Sequence, residues 1–84
     1  LTEGDNALYI GLTGDRTPLH CDAEFARRLG FERETANDLL VFHTVFGKSV
    51  PDVSLNAVAN LGYADVRFLR PVYPGDTLRA ESRV

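Results

Sequence analysis

Eighty-four residues make one domain at most, and a chain this short buries only ~60–65% of its unfolded surface, so its own core is marginal. The net charge of −3 argues against nucleic acid as a main partner, and neither an apolar run near the ~18–20 residues of a membrane span nor a basic-then-apolar leader is visible. With 44% hydrophobic and 25% charged residues the chain reads as an ordinary soluble globular protein, and its single cysteine, Cys21, fits a reducing cytoplasm.

Thr2-Glu3-Gly4-Asp5 reads as a helix start, with Thr2 capping the first free N–H groups and Glu3 and Asp5 suiting the positive end of the dipole. Leu8, Tyr9 and Leu12 follow on one face, and Thr13-Gly14 ends the helix. Pro18 then fixes its own φ and pushes Thr17 towards an extended conformation. Asp15 and His20 therefore lie on a bent, stiff segment. Asp22 is read as the N-cap of a second helix, Ala23 to Leu29, with Phe25, Ala26 and Leu29 on one face, Gly30 as its stop, and Arg27 and Arg28 on a solvated face.

Thr35-Ala36-Asn37-Asp38 is expected to start the longest helix, with Thr35 as cap and Asp38 completing something close to a capping box. Leu39, Leu40, Val41, Phe42, Val45 and Phe46 occupy almost every side, so burial nearly all round is expected. Gly47 is the expected end, with Pro51 preventing a restart. His43, in the middle of this helix, reads as a satisfied core or interface histidine.

From Ser54 the period changes to two. Residues 58–62 are a candidate first strand. Ala64, Val66 and Phe68 alternate with Asp65, Arg67 and Leu69 as a half-buried strand, which Pro71 ends or bends. Tyr73-Pro74-Gly75-Asp76 is a turn, and residues 77–84 alternate as an antiparallel partner.

The chemistry concentrates in residues 9–22. A carboxylate and an imidazole held together can share one water, take its proton, aim it and return a proton elsewhere. Taken singly, Asp15 is equally a turn residue after Gly14, and His20 a hydrogen-bonded, half-buried histidine. A divalent-metal site from Asp15, His20 and Asp22 is a further reading, but their i, i+5, i+7 spacing is not a recognised ligand pattern.

Gly14-Asp15-x-Thr17-Pro18-Leu19-His20-x-Asp22 resembles the motif G-D-x-N-P-[aliphatic]-H-x-D of the MaoC-like, (R)-specific enoyl-CoA hydratases. Thr17 stands where that family usually has Asn, and Asp38 where it usually has Gly. Phe68-x-x-Pro71-Val72-x-x-Gly75-Asp76-x-Leu78 is also similar to the family's pattern. Leu61-Gly62-Tyr63-x-x-Val66-Arg67-Phe68 is most similar to the branch acting on mesaconyl-CoA and β-methylmalyl-CoA.

The resemblance implies an α+β hotdog fold, an antiparallel sheet wrapped around a central helix, here incomplete on the C-terminal side. Residues 1–84 would be a partial hotdog domain, paired as a homodimer or double hotdog in a longer parent. It implies a hydratase/dehydratase of enoyl-CoA and 3-hydroxyacyl-CoA thioesters. Asp15 and His20 would activate a water, and a backbone N–H near Asp38 would polarise the thioester carbonyl. Thr17 would orient Asp15 or the water. Arg67 and Arg70 are candidates for the coenzyme A phosphates, against a plain reading as surface strand charges. No metal or redox cofactor is implied; coenzyme A arrives with the substrate. Rival readings on the same fold are a non-catalytic acyl-CoA-binding module or non-catalytic half of a double hotdog, and an acyl-CoA thioesterase.

Overall fold

The structure, a computed structural model, describes residues 1–59 and 61–83. Four α-helices follow one another: α1 (Glu3–Thr13), α2 (Pro18–Cys21), α3 (Ala23–Arg28) and α4 (Asp38–Ser49), with a π-helical turn, Val50–Ser54, on the end of α4.

α1 begins and ends as its sequence predicts. The Thr2 side chain accepts from the Asp5 N–H and the Asp5 carboxylate accepts from the Thr2 N–H, a complete capping box. Gly14 closes the helix in the left-handed region at φ 73°, its N–H donating to the Ile10 carbonyl. Asp22 caps α3 by accepting from the Glu24 and Phe25 N–H groups. The Gly30 N–H donates to the Arg27 carbonyl and the Phe31 N–H to the Ala26 carbonyl, a Schellman ending. Arg27 and Arg28 are exposed, as expected of a solvated face, and Arg28 pairs with Glu24 one turn away.

Three expectations about α4 are corrected. Its cap is Asn37, not Thr35: the Asn37 side chain accepts from the Leu39 N–H, which makes Asp38 the first helical residue. The helix runs through Gly47 to Ser49, and Pro51 sits inside the π-helical turn, near its start, where a missing N–H is cheap. Nor is the helix buried nearly all round: none of its residues is buried, and Leu39 and Val45 are exposed. His43 is likewise an exposed residue rather than a core one, its Nδ1 lying 3.3 Å from the Tyr9 hydroxyl of α1.

The physical reason lies in the segment after α4, which does not form the expected cover. Among the described residues there is no strand; residues 64–69 and 77–83 run without regular secondary structure, and Asp65 takes a left-handed φ of 53°. The expected strand at 58–62 includes Asn60, and the one at 77–84 includes Val84, both outside the described residues. An aromatic group gives α4 partial cover instead: Tyr63 meets Phe42 and Phe46 edge-on at 4.8 and 5.5 Å between ring centroids.

The turn at Tyr73–Asp76 forms as expected, with the Asp76 N–H donating to the Tyr73 carbonyl and Gly75 at φ 100°. It ties the chain together. The Gly75 N–H donates to the Leu1 carbonyl, the Leu1 ammonium to the Asp76 carbonyl, and the Ala36 N–H to the Val72 carbonyl. The segment entering α4 is thus pinned between this turn and α2, where the Thr35 N–H donates to the Leu19 carbonyl.

Candidate active site

The deepest side chains are mostly polar. Beside Ala26, Ala36 and Pro74, the buried residues among those described are Asn6, His20, Thr35 and Asn37. Burying amide and imidazole groups is costly unless each finds a partner, and here they find one another. Asn6, on the inner face of α1, donates from its amide nitrogen to the His20 carbonyl at 3.1 Å. Its amide oxygen accepts from the Asn37 N–H at 3.0 Å. The Asn37 amide nitrogen in turn donates to Asp15 Oδ2 at 2.8 Å.

His20 sits on the single turn of α2, which Pro18 starts and the extended Thr17 precedes, at φ −51° and ψ 123°. Its Nδ1 lies 3.2 Å from the Thr35 carbonyl and 3.0 Å from the Thr35 hydroxyl. A proton on Nδ1 lets this nitrogen donate to the carbonyl, which only accepts. Neutral His20 then keeps its lone pair on Nε2, the tautomer a general base needs.

Asp15 is half-buried at the turn after α1. Its Oδ1 accepts from the Thr17 hydroxyl at 2.6 Å and from the Thr17 N–H at 3.2 Å. The Thr17 and Asn37 donors hold its carboxyl below the usual carboxylate range, with a smaller contribution from the charge on His20 and some opposition from burial. Asp15 is therefore kept ionised. Thr17, which stands where the motif usually has Asn, supplies its hydroxyl to this carboxylate, and an amide arrives from Asn37 instead.

Asp15 and His20 thus belong to one hydrogen-bonded network, joined through Asn37 and Asn6, with no direct bond between them among the described residues. Asp22 stands apart as a helix cap. No group of His, Cys, Asp and Glu side chains among the described residues is arranged to hold a metal ion.

Two clefts flank the network. One of about 420 Å³ is lined by His20, Asn6, Cys21, Arg16 and Arg33, with Asp15 outside its lining. Arg33 is already engaged there by Glu3 at 2.6 Å and by Glu34. The other, about 350 Å³, is lined by Thr35, Asp38, Phe31, Phe68 and Arg70. Asp38 and Arg70 are therefore brought to one cleft, while Arg67 is exposed on the irregular segment before it. The Asp38 N–H opens α4 with no protein acceptor among the described residues, because the Asn37 side chain takes the Leu39 N–H instead.

Sequence reasoning singled out Asp15, His20, Thr17 and Asp38 but missed Asn6, Asn37 and the role of Thr35. Asn6 and Asn37 carry no periodic or motif signature of their own. A hint was available in Asn6, a polar residue in the middle of an otherwise self-sufficient helix.

Against known proteins, the MaoC-like domain model matches residues 1–84. The chain is 60% identical over 84 residues to a β-methylmalyl-CoA dehydratase of Chloroflexus aurantiacus, covering all of this chain and 24% of that protein. It is 58% identical over 81 residues to a mesaconyl-CoA hydratase of Cereibacter sphaeroides, covering 96% of this chain and 24% of that one. The chain spans about a quarter of the length of these curated relatives. Among solved structures it matches the X-ray structure of a monoamine oxidase regulatory protein from Archaeoglobus fulgius, with a TM-score of 0.75 and 39% identity over 88% of this chain and 52% of that one. Both the family and the branch that the sequence resembles are thus matched, and the chain belongs to the MaoC-like domain family.

Proposed function

We propose that this chain is the catalytic part of a hydratase/dehydratase acting on a CoA thioester, within a longer hotdog protein. The observation that carries it is the buried network that ties an ionised Asp15 to His20, whose Nδ1 is turned to Thr35. The names of the 60% and 58% identical relatives supply the reaction class and favour a branched, carboxylate-bearing acyl group.

In this reading one water lies between the Asp15 carboxylate and His20 Nε2. In hydration the pair removes a proton from the water as its oxygen adds to the β-carbon of the enoyl thioester. The electron pair of the double bond moves to the thioester oxygen as an enolate, and the proton returns at the α-carbon. Asp38, the first residue of α4, lines the cleft where that oxygen would sit, and its N–H at the positive end of the helix would polarise it. Arg70 lines the same cleft and would meet a carboxylate or phosphate of the substrate. Dehydration is the same path reversed. The central sheet, a homodimeric or double-hotdog pairing and a cytoplasmic setting belong to this proposal too.

The test is hydration of mesaconyl-CoA by the full-length protein, followed by loss of conjugated-thioester absorbance. Asp15→Asn and His20→Gln should each lower kcat by ~100-fold or more, and the double variant should be little worse than the poorer single one. Additive losses in folded variants would remove the shared water. Release of free thiol instead of loss of the double bond would make the protein a thioesterase.

A further inference from the structure

Asn37, which the motif does not name, has all four of its polar groups hydrogen-bonded. Its backbone N–H donates to Asn6 at 3.0 Å and its carbonyl accepts from the Val41 N–H at 3.1 Å. Its side-chain oxygen caps α4 through the Leu39 N–H at 2.9 Å. Its side-chain nitrogen reaches Asp15 Oδ2 at 2.8 Å, across 22 positions of sequence. The residue is 2% exposed, so its own polar groups have little access to water and leaving one without a partner is costly. One side-chain amide, offering a donor and an acceptor at once, therefore holds two things in register: the carboxylate of Asp15 and the first turn of α4, which presents the Asp38 N–H.

We propose that Asn37 is a positioning residue that couples the water-activating carboxylate of Asp15 to the α4 N-terminus, supplying from a second segment the amide that Thr17 cannot. This deepens the hydratase reading and rests on it for the reaction, though not for the bond to Asp15. The geometry is specific to an amide. Asp at this position keeps the shape and the cap, since Asp caps a helix as well as Asn does, but it cannot donate to Asp15 and sets a second carboxylate against it. Ser keeps a cap and lacks the amide nitrogen. His20, on α2, is the titratable group that bears on Asp15 in the wild type.

The experiment compares Asn37→Asp, Asn37→Ser and the wild type in the full-length protein. Asp15 is followed by carbon-13 NMR of its labelled carboxyl group, and turnover of mesaconyl-CoA is measured beside it. Losing the amide donor should move the Asp15 titration midpoint to higher pH in Asn37→Ser. In both variants kcat should fall by ~10- to 100-fold with KM held, because the acyl pocket is untouched while the reacting group is misaligned. An Asp15 midpoint unmoved in Asn37→Ser would overturn the proposal, and so would wild-type kcat in Asn37→Asp, since either result reduces Asn37 to a helix cap. If mesaconyl-CoA is not turned over at all while the Asp15 midpoint still moves, the hydratase reading fails and the coupling of Asn37 to Asp15 stands.

Discussion

Asp15 shows how a side chain outside the core can still be held in one charge state. Two side-chain donors and a backbone N–H converge on its carboxylate, so it is easier to ionise than a free aspartate. The sign comes from linkage. A carboxyl whose folded value is lowered contributes stability that is present above the ordinary carboxylate range and is lost as pH falls through the folded value. Thr17→Val removes the 2.6 Å hydroxyl bond. The acid limb of the pH–rate profile should then move to higher pH, and Thr17→Ser should restore it. A pH–kcat/KM profile identical in wild type and Thr17→Val would show that the hydroxyl leaves Asp15 unaffected. Asn6 acts by a different route, since it is uncharged and 4% exposed. Asn6→Leu keeps the volume but strands the His20 carbonyl and the Asn37 N–H. The loss should be about 2–6 kcal/mol in urea unfolding, since each of the two buried groups left without a partner costs roughly 1–3 kcal/mol. A loss below about 0.5 kcal/mol would mean that water replaces both bonds.

At the scale of elements, helix ends were more legible than helix surroundings. Thr2, Asp5, Gly14, Asp22 and Gly30 act within a few residues of themselves, so their roles can be read from spacing alone. Thr2→Ala should cost about 1 kcal/mol in thermal or urea unfolding, and Thr2→Ser much less, because Ser keeps the accepting oxygen. Equal losses from both would place the effect in the Thr2 methyl group rather than the cap. Thr35 and Asn37 show where the local argument stops. Both residues are good caps, and nothing within the helix chooses between them. In the folded chain the Thr35 oxygens lie against Nδ1 of His20, 15 positions away, and the Thr35 and Ala36 N–H groups are bound to Leu19 and Val72. That leaves Asn37 to cap α4.

The molecule as a whole carries its apolar surface on the outside of its helices. Leu8 and Leu12 of α1 are 74% and 83% exposed, and with Tyr9 and Leu40 they line a cleft between α1 and α4. Phe42, Phe68 and Val66 line another against α4. Surfaces of this kind drive association when nothing covers them. The 84-residue chain alone should therefore sediment as a concentration-dependent mixture and melt broadly. Changing Leu8 and Leu12 together to Lys should shift it towards monomer. A monodisperse wild-type chain with a sharp, high transition would show that these faces are stable without a partner.

The sequence by itself determined the local devices: the caps of α1 and α3, the turn at Tyr73–Asp76, and the Asp15-to-His20 motif with its family. All of these act over a few residues, or as a fixed run of reactive side chains, and are therefore present in the order of the letters. Tertiary structure alone decided that Asn6 and Asn37 join Asp15 to His20, and that Thr35 meets Nδ1 of the imidazole. Those bonds link residues from 14 to 31 positions apart. They form because buried polar groups must find partners wherever the chain brings them, and no periodicity encodes which partner that will be.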